Sequence, residues 1–345
     1  MLGIVVVVLL AAEGGVRWLE PALPAREHSE VFYKRDQYRS LAHKGASLDV
    51  VGVGASMMDA GFDPATFDQR STRFRGSYNG SIRGAESTLM DEWVNRSLAP
   101  EHRPRLIILG IHPLQVGKAK GALDELNLLT SKGIDVAIRQ TTVRRWSPLQ
   151  EDAEHWSALV RQRSLFFRPG VIVRAVRDRV EGRTAASQQE EQNPTFWSRN
   201  MTGRGYNAQY ASQPDEATTD TNMASLLNKL YGGGYDLGGL EATLRGLRRP
   251  GTQVVLVLTP MDRTTLIASG WNPVPYAKAS ADIALLTRRL GVPMLDLSDR
   301  VWESSLFHDK LHLDQAGADR FSAEVADWVN QLCTDWALRS CPSPT

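Results

Sequence analysis

Cysteine is almost missing from this chain: Cys333 and Cys341, eight residues apart in the tail, are the only two. Neither has a metal-ligand spacing around it, which excludes a thiolate metal centre. In an exported protein the pair closes a short loop and pins the C-terminus, whereas in a reducing compartment it is two idle thiols. Charge of one sign is also missing. Forty Lys and Arg against 39 Asp and Glu leave a net charge of +1, which argues against a polyanion-binding role, so no nucleic-acid partner is expected. No Gly-x-x-x-x-Gly-Lys phosphate loop occurs, and this excludes a P-loop nucleotide site. There is no internal repeat. There is no long hydrophobic run either: the eleven residues from Leu2 to Ala12 fall short of the roughly 20 needed to cross ~30 Å of hydrocarbon.

That short apolar stretch fits the h-region of a signal peptide or the visible end of a membrane anchor. It has no basic flank, and Ala11-Ala12-Glu13 is a poor cleavage site. The alternative is a buried first strand, since Val5 to Val8 are β-branched. We expect residues 1–20 to act as an uncleaved anchor or signal segment, with the rest on the extracytoplasmic face of the cell membrane. Residues 132–183 carry eleven Lys and Arg against six Asp and Glu, a local excess of five. A solvated helical face with Arg stems lying on apolar surface accounts for this more simply than an anionic ligand or lipid surface does.

With 42% hydrophobic and 23% charged residues in 345, the chain is long and apolar enough for a sizeable core. Buried strands are expected at 48–54, 105–111, 252–259 and 292–297, with a polar edge strand at 73–78. Helices should follow Gly84, with a stripe of Leu89, Trp93, Val94 and Leu98, and run from Gln315 to Cys333. Short strands separated by helical patterns predict an α/β fold, with a roughly five-stranded parallel sheet and helices on both faces. The span from about 115 to 250 interrupts this rhythm. It reads as a largely helical insertion: helical over 156–180, polar over 185–221, then helical at both ends of 223–247 around Gly232-Gly233-Gly234. The expected organisation is one domain over 45–335 containing this insertion.

Four short stretches carry the candidate chemistry. Ser56 follows the first strand in Gly54-Ala55-Ser56, where its hydroxyl serves either as a nucleophile or as a helix N-cap. Asn79-Gly80-Ser81-Ile82-Arg83-Gly84 follows the second strand, either as a loop that aims a backbone N–H at a substrate oxygen or as an ordinary glycine turn. His112 ends the third strand, as an oxyanion donor or as a partly buried loop histidine. Asp309-Lys310-Leu311-His312 lies just before the last helix. There a carboxylate can hold one imidazole nitrogen and leave the other free to take a proton. His308 is the rival base, and Asp314 reads as the N-cap of the last helix.

Loops at the carboxyl ends of parallel strands are where open α/β sheets bind ligands. Ser early, a glycine loop, a polar loop after the third strand and Asp-x-x-His last is an order that resembles the GDSL/SGNH hydrolase superfamily. The resemblance covers roughly 45–115 and 250–332 and implies a three-layer, flavodoxin-like α/β fold. It also implies an acyl-enzyme mechanism with Ser56 as nucleophile, His312 as base and Asp309 as its orienting acid. Asn79, Gly80, Ser81, Gly84 and His112 would be the oxyanion and substrate residues, and no metal or cofactor is required. Three departures stand out: Ala55 replaces the family's aspartate, Ser81 stands where the oxyanion glycine is usual, and His112 stands where the oxyanion asparagine is usual. The N-terminal segment, Gly61-Phe62-Asp63-Pro64 and Thr259-Pro260 look most like the membrane-anchored branch, similar to teichoic-acid D-alanylation and alginate O-acetylation proteins. This implies an esterase or O-acyltransferase acting on acylated envelope polysaccharide, with a membrane acyltransferase as a possible partner. A catalytically silent scaffold or glycan-binding protein of the same fold is the alternative.

Overall fold

The computed structural model describes residues 2–19, 29–100, 102–116, 200–208, 223–232 and 234–335, with isolated positions 157, 159, 173, 176, 177, 180, 338, 341 and 342. The chain forms two compact units, 1–30 with 142–197 and 31–141 with 198–345. In the first unit, α1 (Leu2–Leu19) is a helix, so the apolar run is not a strand. Its Glu13 accepts from Arg17 Nε at 2.7 Å, Ser157 Oγ at 2.9 Å and Leu159 N–H at 3.1 Å. Among the described residues no helix is long and apolar enough to cross a membrane. The insertion's expected helix at 156–180 and polar stretch at 185–221 lie mostly outside the described residues.

The second unit is built on five strands: β1 (Val50–Gly54), β2 (Ser77–Asn79), β3 (Leu106–Ile111), β4 (Gln253–Leu258) and β5 (Met294–Asp296). They pair in the order β2-β1-β3-β4-β5, and every pairing is parallel. Alternation along each strand sends side chains to two cores. Val51, Val53, Ile107, Leu109, Val254 and Leu256 enter one, while Val50, Leu106, Ile108, Val255 and Val257 enter the other. Burial of both faces explains why these strands read as continuous apolar runs.

On the first face lie α2 (Ser29–His43), the short helical run ending at Leu98, and the helices Met223–Gly232, Gly238–Leu247 and Val274–Leu290. On the second lie α3 (Ser56–Gly61), α4 (Pro64–Arg70) and the last helix, Gln315–Thr334, through Met58, Phe62, Phe67, Phe321, Val325 and Val329. The result is a three-layer α/β sandwich. The Cys333–Cys341 disulfide is formed, and Cys333 is buried in the second core.

Two expectations need correcting. The edge strand spans 77–79 rather than 73–78, and it is not a polar surface strand: Ser77, Tyr78 and Asn79 are all fully buried. After Gly84 there is no regular α-helix. A 3-10 turn (Ser87–Leu89), one α turn (Met90–Glu92) and a π turn (Trp93–Leu98) follow one another, still burying Trp93, Val94 and Leu98. The wider π turn changes which positions share a face, so a 3.6-residue stripe describes it poorly.

Candidate active site

In this strand order the winding direction reverses between β1 and β3, and ligands of open α/β sheets bind at the carboxyl end of such a reversal. β1 delivers Ser56 there and β3 delivers His112. Gly54 and Gly110 are register partners at the ends of these strands. A Cβ on Gly54 would lie 2.3 Å from the Gly110 carbonyl oxygen, and one on Gly110 would lie 2.4 Å from Met58 Sδ. Only with glycine at both positions can α3 seat Met58 directly on the strand ends. Ala55, with φ −89° and ψ −162°, caps α3 without a side-chain bond, so Ser56 is the first helical residue. Its hydroxyl is therefore not a cap.

The acid and base share one tight turn. Phe307 and Leu313 bridge antiparallel, and the His308 N–H donates to the His312 carbonyl at 2.9 Å. Inside this turn Asp309 Oδ1 accepts the backbone N–H groups of Leu311 and His312, each at 2.7 Å. The Asp262 N–H donates to the Lys310 carbonyl at 3.0 Å, which fixes the turn to the segment after β4. Asp314 accepts from the Gly317 N–H at 2.8 Å, making it the N-cap of the last helix.

The two halves meet. His312 Nδ1 is 2.7 Å from Asp309 Oδ2, and His312 Nε2 is 2.8 Å from Ser56 Oγ. With the carboxylate holding Nδ1–H, Nε2 is left as the acceptor of the Ser56 hydroxyl proton. Met57 Sδ, at 3.4 Å from Ser56 Oγ, is the weaker alternative acceptor. His312, not His308, faces the serine. Burial raises the Asp309 pKa, but the charge of His312 and hydrogen bonds from His312 and Leu311 outweigh it and bring the carboxyl down to about 2. The acid stays ionised across any ordinary working pH.

His112 is fully buried, with its ring centroid 5.9 Å from that of Tyr276. Burial, and after it the positive charge of His312, lowers its pKa to about 3. It is thus a neutral imidazole near the triad, able to donate one ring N–H but carrying no charge.

The glycine loop behaves differently from expectation. Asn79 does not face the site: its Nδ2 donates to the carbonyls of Met58, Asp59 and Phe62 at 3.2, 3.1 and 2.7 Å. Its Oδ1 accepts the Ser81 N–H at 3.1 Å, so that N–H is taken within the loop and is not an oxyanion donor. Gly80 is structural too. Its N–H bonds to the Gly52 carbonyl at 2.8 Å and its carbonyl accepts from Trp93 Nε1 at 2.7 Å. Ile82 N–H donates to the Gly54 carbonyl at 2.9 Å, and Gly84 then turns the chain with φ +69°. The loop therefore continues β2 alongside β1, which the pattern of small residues did not reveal.

Sequence reasoning missed one cluster altogether. Lys34 and Asp59, both with fully buried side chains, form an ion pair behind α3. Lys34 Nζ also donates to the Ser81 carbonyl at 2.6 Å, and Asn207 Nδ2 donates to Asp59 Oδ2 at 2.9 Å. No spacing signal could link residues 25 and 148 positions apart. Elsewhere, a cavity of about 780 Å³ bordered by Arg245, Arg248, Arg249, Gln253 and Leu338 has no triad residue in its lining. Among the described residues no group of three His, Cys, Asp or Glu side chains is placed to hold a metal ion.

No protein-family model matches this chain, and no curated protein sequence matches it.

Proposed function

We propose that this protein is a serine esterase or O-acyltransferase of the SGNH type, working through a covalent acyl-serine on Ser56. The supporting observation is the unbroken relay from Asp309 through His312 to Ser56, with contacts of 2.7 and 2.8 Å. His312 Nε2 takes the hydroxyl proton as Ser56 Oγ attacks an ester carbonyl carbon. The ester C–O bond breaks, and the leaving alcohol receives that proton from His312. Water or a sugar hydroxyl then gives its proton to Nε2 and attacks the acyl carbon. The bond from that carbon to Ser56 Oγ breaks, Oγ takes the proton back from Nε2, and an acid or a new ester is released.

The developing oxyanion is assigned to the N–H of Ser56, at the start of α3, and the neutral ring of His112. Losing one such donor costs ~3 kcal/mol in a comparable hydrolase site. The substrate class we propose is an O-acylated cell-envelope polysaccharide met outside the cytoplasm, beside a membrane acyltransferase. The Cys333–Cys341 disulfide supports an oxidising location.

A serine-directed fluorophosphonate tests the reading. The wild type should be labelled and Ser56→Ala should not; labelling that survives Ser56→Ala moves the nucleophile elsewhere. Turnover of a model acetyl ester, with and without glycan acceptors, separates hydrolysis from transfer. The second reading, a silent scaffold or glycan-binding protein, draws on the engaged Ser81 N–H and predicts no labelling.

A further inference from the structure

We infer that Lys34 is a positioning residue for acyl transfer, clamping the helix that carries Ser56 to the loop that continues β2 alongside the strand leading to it. The inference rests on the serine-nucleophile reading above. Asp59 stands one turn after Ser56 on α3, and Lys34 on α2 reaches its carboxylate from behind. The same ammonium donates to the Ser81 carbonyl at 2.6 Å, while Asn79 Oδ1 accepts the N–H of Ser81 at 3.1 Å. Both backbone groups of Ser81 are thus fixed by buried side chains. Ile82 comes next, bonded to the carbonyl of Gly54, only two residues short of the nucleophile. A displacement at Ser81 passes directly along this short path to the strand end that carries Ser56.

Packing alone does not explain the cluster. Taking two charges out of water costs several kcal/mol per ion, and apolar residues of equal volume commonly stabilise as well or better. What an apolar side chain cannot provide is a donor for the Ser81 carbonyl together with a tie to α3. Lys34 supplies both from one nitrogen. Errors of ~1 Å in the placement of reacting groups can cost on the order of 10²-fold in rate, so such a clamp has kinetic value.

Three proteins decide the matter: the wild type, Lys34→Met, and Lys34→Met with Asp59→Asn. The readouts are thermal unfolding and fluorophosphonate labelling over a range of probe concentrations and pH. Lys34→Met leaves a buried carboxylate without its cation, so its unfolding temperature should fall. The double variant removes both charges, and its unfolding temperature should return toward that of the wild type. Its limiting labelling rate should nevertheless stay down by on the order of 10²-fold. The half-saturating probe concentration and the pH midpoint should not change, because the Asp309–His312 pair is untouched. A double variant that recovers labelling along with stability overturns the positioning role. So does one that no longer folds cooperatively, since the pair would then serve the fold. Wild-type protein that takes no label removes the nucleophile reading and this assignment with it, whereas normal labelling of the double variant removes this assignment alone.

Discussion

Asp309→Asn isolates what the acid does, because the change is nearly isosteric and the turn can survive it. Asp309 uses its two oxygens differently: Oδ1 accepts two backbone N–H groups at 2.7 Å, and Oδ2 faces His312 Nδ1 at 2.7 Å. An asparagine keeps its carbonyl oxygen on the backbone pair, where swapping it out would leave two buried donors. Its NH₂ then points at Nδ1 and can only donate. The imidazole must place its proton on Nε2, aimed at the Ser56 hydroxyl, and the base becomes unable to accept. The equivalent change in a well-studied serine protease lowers turnover by ~10⁴-fold, or about 5 kcal/mol of barrier. The stability cost should be much smaller. Hydrogen bonds to a charged acceptor exceed those to a neutral one by ~1 kcal/mol each, which gives about 2 kcal/mol for the two. The depression of the Asp309 pKa from 3.8 to about 2 gives a similar ~2 kcal/mol. Fluorophosphonate labelling rates and denaturant unfolding read the two effects separately. An Asp309→Asn variant that remains folded and is labelled within about tenfold of the wild-type rate would refute the tautomer reasoning.

Stability should also fall with acid because of His112. Its folded pKa, about 3, lies below the unfolded value near 6.5, so between those pH values the unfolded chain binds more protons and folding weakens as pH drops. The window is worth on the order of 5 kcal/mol, and Asp309 adds a loss of the same sign from pH 3.8 toward 2. His112→Gln should flatten the pH dependence of the unfolding free energy above pH 4; an unchanged slope would contradict the burial argument. Gly110→Ala should destabilise by ~1–3 kcal/mol through overpacking against Met58, and should slow labelling as α3 is pushed off the strand ends. Unfolding and labelling that both match the wild type would show that α3 can move freely. Reducing the Cys333–Cys341 disulfide, or replacing both cysteines with serine, should cost about 2 kcal/mol by freeing an eight-residue loop, read as a lower thermal midpoint under reductant.

The amino-acid order alone determined the layers of this molecule and the ends of the relay. Runs such as 106–111 and 253–258 are apolar at every position or nearly so because both faces of a parallel sheet are covered, and that signal is local. Ser56 after one strand and Asp309-x-x-His312 before a helix are likewise local patterns, each ambiguous by itself. Tertiary structure decided the rest. Only folding could bring Nε2 of His312 to 2.8 Å from a hydroxyl 256 residues earlier in the chain. Only folding could turn Asn79 inward, occupy the N–H of Ser81 and sink Lys34 against Asp59. Those outcomes depend on which backbone groups end up buried without water and must be satisfied by side chains from distant segments, and no spacing rule encodes that.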